Sequence, residues 1–166
     1  MQKRAGFPYI TKIDISMGFY TFELDDAAQR LCFISTPFGL FKYLRLPMGL
    51  TNSPDVFQSV MHPLFQDMTE VDVFIDDIGI FTDKSFNHHL PIVQEVLQRL
   101  ETSGFTVNPI KCVWAVSSTD YLGFLLTKDR IKPLPKKTEA ISRVARPEST
   151  KLCNLGQKLM KALFNK

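Results

Sequence analysis

No apolar run in this chain reaches the roughly 20 residues needed to cross a bilayer, so no membrane-spanning helix and no membrane partner are expected. The first residues, Met1-Gln2-Lys3-Arg4-Ala5-Gly6, lack the apolar segment of a secretory leader. Cysteine is scarce: Cys32, Cys112 and Cys153 are odd in number and widely scattered, which argues against a disulfide framework and against a zinc site. A reducing, intracellular setting (cytoplasm or nucleus) is the expectation. Internal repeats and low-complexity tracts are also lacking, which excludes solenoids and long linkers. Basic charge is thin over residues 1–127, with 9 Lys and Arg against 14 Asp and Glu, whereas residues 128–166 carry 11 against 3. The net charge of +3 hides that asymmetry. An acidic body with a basic end hints at nucleic-acid contact, and a solvated helical surface is the plainer alternative. With 166 residues and 45% hydrophobic content, the chain forms one domain, or one domain with a small appendage, around a real core.

The most informative stretch is 71–81, where two runs of β-branched and aromatic residues flank adjacent carboxylates. It reads as a tight hairpin with Asp76 and Asp77 at its tip. Alternation puts Val71, Val73 and Ile75 on one face and Asp72, Phe74 and Asp76 on the other. The acids are either polar turn residues or a cation site, since bare carboxylates among apolar neighbours repel unless a cation answers them.

Residues 9–15 read as a strand with Ile13 and Ile15 on one face and Lys12 and Asp14 on the other. The next segment, 16–20, should turn, and 21–24 alternates again. Residues 31–35 and 40–46 form a hairpin through Thr36-Pro37-Phe38-Gly39. Ser53 is a candidate helix N-cap, followed by Pro54 and an apolar stripe of Phe57, Met61, Leu64, Phe65 and Met68, which Pro63 should kink or shorten. Leu90, Val93, Val96, Leu97 and Leu100 mark a second helix, stopped by Gly104. His88 and His89 are adjacent, cannot share a helix face, and read as surface or capping residues. Strands are expected at 105–107, 112–116 and 121–126, with a turn at 117–120. From Lys136 onward two basic helical pieces follow, separated at Pro147.

Asp14 and Asp76 thus leave separate strands on the side opposite the apolar residues. If those strands are neighbours, the carboxylates make an oxygen-rich site suited to Mg²⁺ and to the two-metal chemistry of polymerases and nucleases. Six segments then resemble, in order, the reverse transcriptases of LTR retrotransposons of the gypsy type. They are Thr11-Lys12-Ile13-Asp14-Ile15 with Gly18-Phe19, Thr36-Pro37-Phe38-Gly39, residues 46–58, Phe74-Ile75-Asp76-Asp77, residues 104–112, and Tyr121-Leu122-Gly123-Phe124. Each is weak alone; the ordered set is specific.

The resemblance implies an α+β polymerase palm, an antiparallel sheet backed by helices, over residues 1–132 with partial fingers at about 24–46. Residues 133–166 would begin the thumb. It implies an RNA-directed DNA polymerase that uses two Mg²⁺ ions (Mn²⁺ possible), a primed RNA or DNA template and dNTPs. Asp14, Asp76 and Asp77 would be the metal-binding acids, Asp14 and Asp76 the more direct, with the Ile15 carbonyl adding a ligand. Phe19 would be the steric gate against ribose. Met48, Gly49 and Gln58 would border the nucleotide, Leu122 and Gly123 would grip the primer, and Lys111 would donate a proton to pyrophosphate or place charge near the phosphates.

Two features depart from the family pattern. Phe74 stands where Tyr is usual, and only eight residues precede Tyr9, where the family carries basic fingers residues for the triphosphate. The expectation is therefore a piece of a Pol polyprotein, whose fingers, RNase H and integrase segments lie elsewhere, polymerising poorly alone. The alternative is an inactive relic that keeps the fold and binds nucleic acid weakly. A nucleotide cyclase on a related palm is disfavoured by residues 121–124 and the basic end.

Overall fold

Alternation along residues 9–16 sends Thr11, Ile13 and Ile15 to one face and Ile10, Lys12 and Asp14 to the other, and the fold is laid around that strand. The computed structural model describes residues 7–128, 131–134 and 139. Its elements in chain order are β1 (Tyr9–Ser16), a 3-10 turn (Gly18–Thr21), α1 (Asp26–Gln29), β2 (Phe33–Thr36), β3 (Gly39–Lys42), α2 (Ser53–Phe65), β4 (Val71–Phe74), β5 (Asp77–Thr82), α3 (Phe86–Thr102), β6 (Thr106–Val107), β7 (Val113–Val116), β8 (Ser118–Tyr121), β9 (Phe124–Thr127) and β10 (Ile131–Pro133).

The main sheet runs β4-β5-β1-β6, and β7 shares with β6 the second edge of β1; every pairing is antiparallel. The hairpin β2-β3 and a small sheet β8-β9-β10 stand apart from it. Ile13, Ile15, Val71, Ile78 and Ile80 of the sheet meet Phe57, Met61 and Phe65 of α2 and Val93, Val96 and Leu100 of α3 in one buried cluster. Burial of each such side chain contributes about 1.5–3 kcal/mol, so the helices can cover only this face. Arg99 of α3 reaches across to the Leu64 carbonyl and to Asp67, fastening α3 beyond the end of α2. On the opposite face Ile10, Phe81, Tyr121 and Leu126 form a second, smaller cluster that holds β8 and β9 against β1 and β5. Among the described residues no helix is long and apolar enough to cross a membrane.

The antiparallel sheet with helices behind it agrees with expectation, and several local readings are corrected. Asp77 is not at the hairpin tip but opens β5, leaving Ile75 and Asp76 as the turn. Residues 18–21 wind into a 3-10 turn, and Glu23 makes only an isolated bridge to Arg45. Asn52, not Ser53, precedes the first turn of α2; the buried Ser53 hydroxyl instead donates to the Pro47 carbonyl. The expected turn at 117–120 is largely strand β8, and the single strand expected at 121–126 is broken at Leu122 and Gly123. Leu90 is exposed, and His89 takes the buried place on α3. The expected helices after residue 135 lie outside the described residues.

Candidate active site on the acid face of the sheet

Register decides which side chains share the face away from the helices. Asp14 pairs with Asp77, and Asp77 pairs with Phe74, making one row across β1, β5 and β4. The next row on that face is Lys12, Gly79 and Asp72. Directly opposed side chains stand about 4.5–5.5 Å apart at Cβ, so Asp14 and Asp77 are immediate neighbours. Each carboxylate is answered by a lysine: Lys12 Nζ lies 3.1 Å from Asp77 Oδ1, and Lys111 Nζ lies 3.7 Å from Asp14 Oδ1.

The main chain around Asp14 is fixed from both sides. Its carbonyl accepts from Asn108 N at 2.9 Å, and its N–H donates to Cys112 Sγ at 3.4 Å, while that thiol donates to the Asn108 carbonyl at 3.1 Å. Burial holds the Cys112 thiol above its ordinary pKa, and so in the protonated form that this donation needs.

Asp76 is exposed and sits in a two-residue turn whose first residue, Ile75, has φ 55°. A β-branched residue enters the left-handed region only where its surroundings force it. Gln58 of α2 supplies that force: its Oε1 accepts from Ile75 N at 2.7 Å and its Nε2 donates to the Val73 carbonyl at 3.2 Å. Gln58, expected to border a nucleotide, is therefore also the brace of the acid turn.

The remaining candidates fall around this row. Phe19 is half-buried in the 3-10 turn with its ring 5.0 Å from that of Phe57. Gly18 leaves room for that contact, since a Cβ there would stand 2.6 Å from the Phe57 ring. Ile15 buries its side chain, so only its main chain can serve the site. Met48 and Gly49 are exposed on the loop before α2, Gly49 with φ 95°. Lys111 is exposed beside Asp14. Leu122 and Gly123 form the β8–β9 turn with φ 48° and 80°.

The donor set fits hard divalent cations, being carboxylate oxygen already faced by ammonium groups. As the side chains stand, however, no three His, Cys, Asp or Glu among the described residues form a group that could hold a metal ion. The structure brings Asp14 and Asp77 together, with Asp76 in the adjoining turn.

Sequence reasoning missed Cys112 beside Asp14 and Tyr121, which packs over Gly79 with its hydroxyl 3.4 Å from the Asp77 carbonyl, and it misread His89. Gly79 was a usable signal, because a glycine inside an otherwise β-branched strand marks close approach by another group. Nothing comparable pointed to Cys112.

An antiparallel sheet with helices on one face and paired acids on the other defines a palm-like class of fold. Residues 1–126 match the family described as reverse transcriptase (RNA-dependent DNA polymerase). The chain belongs to that family. It is 38% identical over 141 residues to an uncharacterized protein, K02A2.6, of Caenorhabditis elegans, covering 85% of this chain and 11% of that protein. It is 35% identical over 145 residues to the retrovirus-related Pol polyprotein from transposon 297 of Drosophila melanogaster, covering 86% of this chain and 13% of the polyprotein. The chain thus spans a small fraction of these relatives' length. Its fold is similar to a foamy viral protease-reverse transcriptase solved with an RNA/DNA hybrid, with a TM-score of 0.78, 24% identity, and coverage of 93% of this chain and 21% of that one. Reverse transcriptases generally use divalent metals.

Proposed function

We propose that this domain is the palm of an RNA-directed DNA polymerase from a gypsy-type LTR retrotransposon, extending a primer 3′-hydroxyl on an RNA or DNA template with dNTPs. The observation that carries it is the cross-strand pairing of Asp14 with Asp77, with Asp76 in the adjoining turn. Residues 1–132 are palm with partial fingers, residues 133–166 open the thumb, and the other Pol segments are its natural partners. Asp14, Asp76, Asp77 and the Ile15 carbonyl would hold the metals. When bound, two Mg²⁺ ions (or Mn²⁺) supply the charge that activates the attacking hydroxyl and stabilises the leaving pyrophosphate. Phe19, packed at a tilt against Phe57, closes the space under the sugar. Met48, Gly49 and Gln58 border the incoming nucleotide. Leu122 and Gly123 support the primer end, and Lys111 neutralises or protonates the departing phosphate.

Primer extension on an RNA template tests this, using the chain alone and fused to the fingers of a related polymerase. Asp76→Asn should lower extension at least ~100-fold, because it removes charge at the reacting centre, while leaving thermal unfolding nearly unchanged. Extension by Asp76→Asn at the unsubstituted rate removes Asp76 from the metal site. Primer–template binding without any extension by the unsubstituted fusion overturns the polymerase reading.

A further inference from the structure

We propose that Tyr121 is a positioning residue that sets the distance between the acid hairpin and the Leu122–Gly123 turn; the inference rests on the polymerase reading of those two elements. The side chain of Tyr121 is 1% exposed, enclosed between the main sheet and the small β8-β9-β10 sheet. Its hydroxyl lies 3.2 Å from the Asp72 carbonyl and 3.4 Å from the Asp77 carbonyl. Those acceptors belong to β4 and β5, the two strands that carry the acid turn. One hydroxyl therefore touches both arms of the hairpin that presents Asp76 and Asp77.

The sequence is shaped to admit this ring. A Cβ on Gly79 would stand 3.0 Å from Tyr121 Cζ and 2.5 Å from the Phe81 ring. Phe81 in turn meets Tyr121 edge-on, with centroids 5.4 Å apart. Gly79 thus leaves space for both rings: a side chain there would displace Phe81 and press on Tyr121.

Tyr121 is the last residue of β8, and the next two, Leu122 and Gly123, turn the chain back into β9. A shift of the ring passes to that turn without an intervening joint. Apolar packing against Ile10, Phe81 and Leu126 would bury a phenylalanine equally well. What the hydroxyl adds is registration, because it fixes the turn against the carbonyl of Asp77 itself and that of Asp72, four residues before Asp76. In-line transfer needs such registration, since displacements on the order of 1 Å at the reacting atoms lower rates about 100-fold.

The test uses the chain fused to the fingers of a related polymerase and compares the unsubstituted fusion with its Tyr121→Phe and Gly79→Ala forms, on a primer–template that carries 2-aminopurine at the primer 3′ end. Tyr121→Phe is expected to keep primer–template affinity within about threefold, to shift the 2-aminopurine emission, and to slow single-turnover addition about tenfold. Gly79→Ala should shift the same signal although its tyrosine hydroxyl is intact. A merely structural tyrosine would lower the melting temperature and the fraction of active molecules while leaving the rate per active molecule and the emission unchanged, and that result overturns the proposal. Should Gly79→Ala fail to fold, Tyr121→Phe decides alone. An unsubstituted fusion that perturbs the probe but never extends it defeats the polymerase reading, and the Tyr121→Phe emission then decides the positioning role. A fusion that leaves the probe unperturbed overturns both.

Discussion

His89 takes up a proton less readily in this fold than an open imidazole does, because burial disfavours its charged form. It is fully buried, with Nε2 2.7 Å from Thr11 Oγ1 and Nδ1 2.9 Å from Thr82 Oγ1. Hydroxyls can donate or accept, so a neutral ring satisfies both nitrogens, and Thr11 Oγ1 also accepts from Ala115 N where β7 bulges past β1. Burial lowers the His89 pKa below its ordinary 6.5, and His88 lowers it further. The unfolded chain therefore binds the proton more readily, so this contribution to stability is intact above pH 6.5 and is lost as pH falls below it. Urea midpoints measured from pH 8 to pH 5 should decline in the acid range, and His89→Gln should flatten that decline. The same substitution should destabilise by about 1–3 kcal/mol, because it disturbs buried hydroxyl partners. The Phe19 ring packs against that of Phe57, and the proposed gate role makes it the residue that excludes ribose. Phe19→Val should relax discrimination against ribonucleotides about tenfold or more, read from matched dNTP and rNTP incorporation. Unchanged selectivity would remove Phe19 from the gate.

At the scale of elements, the acid hairpin is legible from the sequence and its tip is not. Residues 71–81 alternate strongly enough to fix two strands, but alternation alone does not say where the turn between them falls. The observed turn is braced from elsewhere: Gln58 grips Val73 and Ile75 and holds Ile75 in the left-handed region. That conformation costs about 1–3 kcal/mol and persists only while it is over-determined. Gln58→Leu should therefore leave the Ile75 N–H unanswered, lower stability by about 1–3 kcal/mol in urea unfolding, and weaken Mn²⁺ binding in a titration of the chain. Equal Mn²⁺ affinity in the two proteins would separate Gln58 from the acid turn. The β8–β9 region was misread for a related reason. Ser118, Thr119 and Asp120 carry turn-like composition, yet pairing with residues 125–127 makes them strand. The true turn falls at Leu122-Gly123, where only the glycine advertised it.

Over the whole molecule, local periodicity made β1, α2 and α3 readable, because each buries one continuous apolar face in the shared cluster. What remained hidden depends on contacts distant in sequence, such as Tyr121 against Asp72 and Asp77 or Cys112 against Asp14. Charge is the property that composition alone settles. Residues 1–127 hold 9 basic against 14 acidic side chains, so the acid face sits in a body that repels phosphate unless cations screen it. Residues 128–166 hold 11 against 3, enough to attract a nucleic-acid backbone by displacing its counterions. If about five phosphates are engaged, the logarithm of the binding constant should fall with the logarithm of salt at a slope of about −4 to −5 on duplex. Such contacts position without reading bases, so affinities for unrelated sequences should agree closely. Replacing Lys136, Lys137, Arg143 and Arg146 with Gln should bring the slope about three to four units nearer zero while leaving thermal unfolding of the palm unchanged. Fluorescence anisotropy with labelled RNA/DNA hybrid across 50–200 mM salt measures both quantities. A slope that ignores those four substitutions would move the phosphate contacts to other cations, either the seven remaining Lys and Arg of residues 128–166 or the basic residues of the body.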